Sequence, residues 1–148
     1  MLKLLRINIY ELKQYINIAF NDDYDFINYY DKNTKIKTIE ELVEKTNEKI
    51  LDYPSYFGTH YSYRVDFDNK SIGYLFITKK PNLLVSFSIN KKYRNKEILK
   101  NYFDIIKKEL GNSFCCLLYK ENIRAINWLK KCGMKPEDGN DVYVKLNL

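Results

Sequence analysis

Leu84-Val85-Ser86-Phe87-Ser88-Ile89-Asn90-Lys91-Lys92-Tyr93-Arg94-Asn95-Lys96-Glu97-Ile98-Leu99 passes from an apolar run, through a basic turn, into a helical pattern. Leu83 to Ile89 reads as a strand. From Lys96 to Leu110 the apolar residues Ile98, Leu99, Tyr102, Phe103, Ile105, Ile106 and Leu110 form a wide helical stripe, and Gly111 supplies the stop. A helix N-terminus presents unpaired N–H groups and a partial positive charge, which suit a phosphate. Lys91, Lys92, Arg94 and Lys96 strengthen that field. An ordinary solvated turn has the same composition, so the turn alone decides nothing.

Working outward, the period of two in Tyr61, Tyr63, Val65 and Phe67 marks a half-buried strand. Asp68-Asn69-Lys70 turns into a strand from Ile72 to Thr78, and Lys79-Lys80-Pro81-Asn82 turns into Leu83 to Ile89. The three strands form an antiparallel meander. Before them come a short strand at Leu4 to Asn8 and a helix at Glu11 to Phe20, with Leu12, Tyr15, Ile16, Ala19 and Phe20 on one face. Asn21 to Lys35 is polar and reads as a loop or a frayed helical turn. Thr38-Ile39-Glu40-Glu41 is a capping box that opens a helix to about Asp52. After the long helix, Ser113 to Tyr119 reads as an apolar strand. Asn122 caps a helix through Cys132, and Val142 to Leu148 is a last strand. The expected fold class is α+β, in the order β-α-α-β-β-β-α-β-α-β, as one domain over residues 1–148.

Three parts of this pattern resemble the GNAT superfamily of acetyl-CoA-dependent N-acyltransferases. Ile89 to Lys96 looks like the end of the central strand and the pyrophosphate loop. Ile72-Gly73-Tyr74 is similar to the small-residue strand before it. Glu121-Asn122-Ile123-Arg124-Ala125-Ile126-Asn127-Trp128-Leu129-Lys130-Lys131-Cys132-Gly133-Met134 resembles the late helix, with its Asn, its Ala three residues on and its terminal Gly. The resemblance implies a mixed, mostly antiparallel central sheet with helices on both faces. It implies acetyl-CoA as co-substrate, with no metal, and an amine as acceptor. Cofactor contacts would fall to Ser88, Ile89, Asn90, Arg94, Asn95, Lys96, Glu97, Ile98, Leu99 and Asn122, the pantetheine arm lying on backbone N–H groups near Ser88, Ile89 and Asn90.

The chain departs from the family at defined positions. Arg94 fits the start of the loop pattern, but Glu97 stands where the first glycine belongs and Leu99 where the second small residue belongs. Glycine lets a backbone approach a pyrophosphate closely. Many members carry a tyrosine seven residues after the late-helix Asn as the acid for the leaving thiolate; Leu129 occupies that place, and the neighbouring Trp128 has no acidic proton to give. Tyr119, at the preceding strand end, is the candidate acid. Ser86 and Ser88 are poor bases, and Asp66, Asp68 and Glu121 are the carboxylates on neighbouring elements. Phe26, Tyr29, Tyr30, Tyr56 and Tyr61 are the candidate acceptor-binding residues, and such aromatic faces suit a cationic amine.

Charge and composition bound the alternatives. The net charge of +6 lies wholly in residues 81–148, which carry 13 Lys/Arg against 7 Asp/Glu; residues 1–80 carry 12 of each. A basic half favours a polyanionic partner. No RNA- or DNA-reading motif accompanies it, which leaves nucleic acid the weakest candidate. Cys115, Cys116 and Cys132 have no metal-ligand or disulfide spacing and read as small apolar residues in a reducing compartment. With no run long enough for a membrane span and no secretory pattern at the N-terminus, the expected location is the cytoplasm. The leading expectation is an N-acetyltransferase acting on a primary amine of an unidentified small molecule or protein. The alternative is a catalytically silent GNAT-like domain that binds a partner protein. A second copy of the chain is a further candidate partner.

Overall fold

Alternating apolar and polar side chains build a seven-stranded sheet in the order β1-β2-β3-β4-β5-β7-β6. The strands are β1 (Leu2–Ile7), β2 (Thr59–Phe67), β3 (Lys70–Lys79), β4 (Leu83–Ile89), β5 (Cys115–Tyr119), β6 (Lys135–Glu137) and β7 (Tyr143–Asn147). The structure is a computed structural model and describes residues 1–27, 35–137 and 139–148. All strand pairs are antiparallel except β4 with β5. Asp68 and Asn69 both take positive φ (48° and 68°), which lets the β2–β3 hairpin close in a tight turn.

Among the described residues, the helices α1 (Leu12–Phe20), α2 (Ile39–Leu51), α3 (Lys96–Leu110) and α4 (Ile123–Lys131) cover the two faces. Successive residues of β3 point to opposite faces. Tyr74 and Phe76 join α1 and α2 in one buried cluster, while Leu75 and Ile77 join α3 and α4 in the other. With nine residues, α1 is too short to persist alone. Its buried side chains, Leu12, Tyr15, Ile16, Ala19 and Phe20, are the set its periodicity predicts. Burying each large one contributes on the order of 1.5–3 kcal/mol, so packing rather than propensity holds this helix.

Local signals are satisfied with two adjustments. Thr38 Oγ1 accepts from Glu41 N at 3.1 Å as expected, but the Glu41 carboxylate reaches Lys37 N at 3.4 Å rather than the threonine's own N–H. The element order gains a strand: β6, with Pro136 at its centre and all three residues exposed, pairs along β7. Three solvated residues carry no periodicity, so this strand is set by its partner. Residues 24–27 form a helical turn within the polar stretch after α1, one of the two forms expected there. Among the described residues no helix is long and apolar enough to cross a membrane, and no group of His, Cys, Asp and Glu is placed to hold a metal.

Candidate active site

The site begins with a fault in the sheet. Phe76 pairs with Ser86 and Ile77 with Leu84, so Val85 is an extra residue in β4. Such a bulge bends its strand and ends regular pairing. On the far edge β4 meets β5 at Leu83↔Cys115 and Leu84↔Cys116, and there the ladder stops. Beyond Leu84 the strands part. On the near edge β4 stays bound to β3 up to Gly73↔Ile89. The approach there is close enough that a Cβ at Gly73 would lie 2.2 Å from the Ser88 carbonyl oxygen. Only glycine fits.

The parted strands open onto a cleft of about 1280 Å³. Val85, Ser86, Phe87 and Ser88 line it from β4, and Leu117, Leu118 and Tyr119 from β5. On the α3/α4 side Leu99, Tyr102, Ala125 and Trp128 close it. The Trp128 ring stacks on Tyr102, with centroids 5.8 Å apart and planes 12° from parallel. On the other side stand Phe20, Phe26, Lys49, Tyr53 and Tyr74. Tyr74 and Ser86 share a hydrogen bond of 2.8 Å between their hydroxyls.

At the end of β4 the chain makes a short turn (Lys91–Tyr93) capped by Asn90, whose Oδ1 accepts from Lys92 N at 3.0 Å. Asn95 caps α3 by accepting from Ile98 N at 2.9 Å. The N–H groups of Lys96 and Glu97 have no acceptor among the described residues, as helix geometry requires of a first turn. Glu97 is exposed and takes no hydrogen bond among the described residues, so its carboxylate does not fill the loop.

Arg94 is committed inward. Its Nε donates to the Ile89 carbonyl at 2.9 Å, and its Nη2 to Asp23 Oδ2 at 2.7 Å and Ser88 Oγ at 3.2 Å. Arg124 of α4 donates to the same carboxylate at 3.0 and 3.3 Å. Asp23 is 1% exposed. Burial alone would raise its pKa, but the hydrogen bonds and charges of Arg124 and Arg94 outweigh burial and hold its carboxyl below the usual range. Asp23 thus ties the loop after β4 to the helix after β5, across the end where the strands have parted. Asn90 Nδ2 adds a bond to the Ile18 carbonyl at 2.9 Å, and Lys91 one to the Asp22 carbonyl.

Across the chamber Lys49 Nζ donates to the Tyr119 hydroxyl and lies 4.2 Å from the centre of its ring. Burial lowers the Lys49 pKa. Tyr119 also stacks on Tyr143 at 4.9 Å.

Of the residues singled out from sequence, Ser88, Ile89, Arg94, Leu99, Asn122, Tyr119 and Phe26 line this cleft. Asn122 is buried and caps α4 at 3.4 Å from Ala125 N. Asn90, Asn95, Lys96 and Glu97 stand at the loop, and Ile98 is buried in the core under α3. The Asn90 N–H is taken by the Ile72 carbonyl at 2.7 Å. Tyr56 is 81% exposed and outside the cleft. Tyr61 also lies outside it, its ring covered by Arg6 and Lys79 at 4.2 and 4.9 Å. Tyr29 and Tyr30 lie outside the described residues. Leu129 is wholly buried in the core. Asp66 bonds Ser71, and Asp68 meets the N-terminus; these two and Glu121 are absent from the cleft lining. Asp23 and Lys49 carry no signal in the sequence, and Arg124 stands there only as part of the late-helix pattern.

No family model matches the chain, and no curated protein matches it. Solved structures do. An acetyltransferase from Thermus thermophilus superposes with a TM-score of 0.70 at 12% identity, over 100% of this chain and 96% of that one. The paia N-acetyltransferase of Thermoplasma acidophilum, solved with coenzyme A, gives 0.67 at 16% identity, over 99% and 98%. A spermidine N-acetyltransferase from Vibrio cholerae, solved with CoA and spermine, gives 0.57 at 16% identity, over 99% and 94%. These likenesses run along the whole chain, from β1 to β7, and the protein has the GNAT fold.

Proposed function

We propose that the chain is an N-acetyltransferase that moves an acetyl group from acetyl-CoA to a primary amine. The observation that carries this reading is the parting of β4 from β5 after two residue pairs, which frees one edge of β4 inside a cleft. Such an edge holds main-chain donors and acceptors with no strand to satisfy them, and a ligand with amide groups would meet that need. The free N–H groups of Lys96 and Glu97, at the positive end of α3, suit a pyrophosphate. The residues present fit the co-substrate.

Bound acetyl-CoA would supply a thioester whose acyl carbon an amine attacks. The chain's own part is to align and to move protons. The β4 edge at 85–88 would orient the carbonyl and stabilise charge on its oxygen. Tyr119 would give its Oη proton to the leaving sulfur, and the Lys49 ammonium, already bonded to that oxygen, would stabilise the phenolate that remains. The proton lost by the acylated amine nitrogen would return to that phenolate through water. Trp128, Tyr102 and Phe87 would keep water from the α3/α4 side.

The second reading, a silent domain that binds a protein partner, has one observation in its favour. Asp23 occupies the Arg94 guanidinium in a loop that already lacks glycine. Calorimetric titration with acetyl-CoA at modest salt, followed by an assay of CoA release with primary amines, separates the two. Micromolar binding and amine-dependent release support the enzyme. No binding at millimolar acetyl-CoA leaves the silent domain.

A further inference from the structure

Among the described residues, the chamber between α1, α2 and the parted strands carries more positive than negative charge. Lys49 reaches into it from α2, with Tyr119 as its hydrogen-bond partner and no carboxylate partner among the described residues. Arg124 reaches in from α4. It shares the one carboxylate of Asp23 with Arg94, which leaves that trio a net single positive charge. Of the two arginines, Arg124 is the more open to the chamber, at 35% side-chain exposure against 14%. The other cations at the rim are matched: Lys45 by Glu48 at 3.7 Å and Lys145 by Glu137 at 3.0 Å. Asp52 stands exposed at the end of α2.

The surroundings raise the cost of this imbalance. Phe20, Phe26, Tyr53 and Leu117 line the same space, and Arg124 lies 5.3 Å from the centre of the Phe26 ring. A cation held among apolar groups without a counter-charge loses solvation that only an anion restores. The aromatic faces, meanwhile, are engaged: Phe26 stacks on Phe20 at 5.0 Å and takes Arg124, so the chain's own guanidinium already stands where a cationic acceptor was expected.

We propose that the acceptor amine carries an anionic group, a carboxylate or a phosphate, which Lys49 and Arg124 hold while the amine faces β4. The inference rests on the acetyl-transfer reading and narrows its substrate class. Complementary charge would draw such a molecule in, and a polycation would meet repulsion instead. The same field favours the uncharged form of the acceptor's amine, which is the nucleophilic form.

A set of six-carbon amines that differ only in the far end tests this: 6-aminohexanoate, 6-aminohexyl phosphate, hexylamine and 1,6-diaminohexane. Binding of each to the CoA-loaded protein is measured by calorimetry, which needs no turnover. The expected order is anionic, then neutral, then cationic, with about tenfold or more between the first and the last. The carboxylate and phosphate arms decide between the two anions. Arg124→Gln should erase most of the anionic advantage and leave hexylamine within about twofold, and Lys49→Met should likewise weaken the two anionic amines. Equal binding of all four, or a preference for the diamine, overturns the inference while acetyl-CoA binding keeps the enzyme reading intact. Failure of acetyl-CoA itself to bind brings down the enzyme reading, and this one with it.

Discussion

The two faces of the sheet treat the parted strands in opposite ways. Under α3 and α4 a single buried cluster takes in Leu75, Ile77 and Leu84 from one half of the sheet and Cys116, Leu118 and Leu146 from the other. Under α1 and α2 the buried cluster stops at β3, with Val85 of β4 packed against it and nothing from β5 or β7. What crosses the gap on that face is polar: Asp23 to Arg124, and Lys49 to Tyr119. Stability and opening are therefore assigned to different faces. A continuous apolar layer holds the halves together, which frees the opposite face to carry a chamber spanned by groups that can do chemistry.

Ile106→Ala, on the continuous face, is expected to have the largest effect. Ile106 is wholly buried, and its truncation should cost about 4 kcal/mol in urea unfolding, the transfer loss plus a cavity. A cost under about 1 kcal/mol would mean that this layer does not carry the fold.

Next comes Asp23→Ala on the spanned face, expected to cost about 3 kcal/mol at neutral pH because it leaves Arg94 buried without its carboxylate. The third-exposed Arg124 is solvated enough to keep the figure at the low end. The pH dependence has a definite sign. The folded pKa of Asp23 is depressed, so its contribution is complete above the unfolded value near 3.9 and fades as pH falls through the folded one. The gap between wild type and variant should stay constant above about pH 4 and shrink steadily as pH falls below it, and a gap that does not shrink with falling pH would sink the ion-pair account.

Tyr119→Phe tests the polar crossing as chemistry. It should lower kcat about 100-fold, near 2.7 kcal/mol, and leave acetyl-CoA affinity within about twofold. Loss of affinity with kcat intact would reassign Tyr119 to binding.

The smallest effect belongs to Glu97→Gln. The side chain is exposed, so acetyl-CoA affinity should change by less than about threefold, and the helix should lose only about 0.5 kcal/mol of dipole complement. A large gain in affinity would show that this carboxylate repels the ligand after all.

The same contrast explains what was legible beforehand. The α3 stripe and the Gly111 stop are local, and the expected bounds of this helix agree with the structure. The β2–β3–β4 meander follows from alternation and turn residues, and the strand ends shift by two residues or fewer. Ser88, Leu99 and Asn122 are named by the resemblance to a family and Tyr119 by its place at the strand end before Asn122, and all four line the cleft. Asp23 could not be found this way. It sits in a polar stretch, and its partners lie 71 and 101 residues away, so no window contains the interaction. Lys49 is one of many lysines on a helix, and only the placement of β5 gives it Tyr119. The bulge at Val85 has no glycine or proline to announce it; it arises where β4 must serve β3 and leave β5.

The central claim is that the free edge of β4 and the first turn of α3 bind acetyl-CoA. Hydrogen exchange of the protein, with and without saturating acetyl-CoA, tests this at the backbone groups concerned. The account predicts added protection at amides within 85–88 and at Lys96 and Glu97, with the β2–β3 hairpin unchanged. Unchanged exchange at both segments would contradict it, as would protection confined to an outer surface.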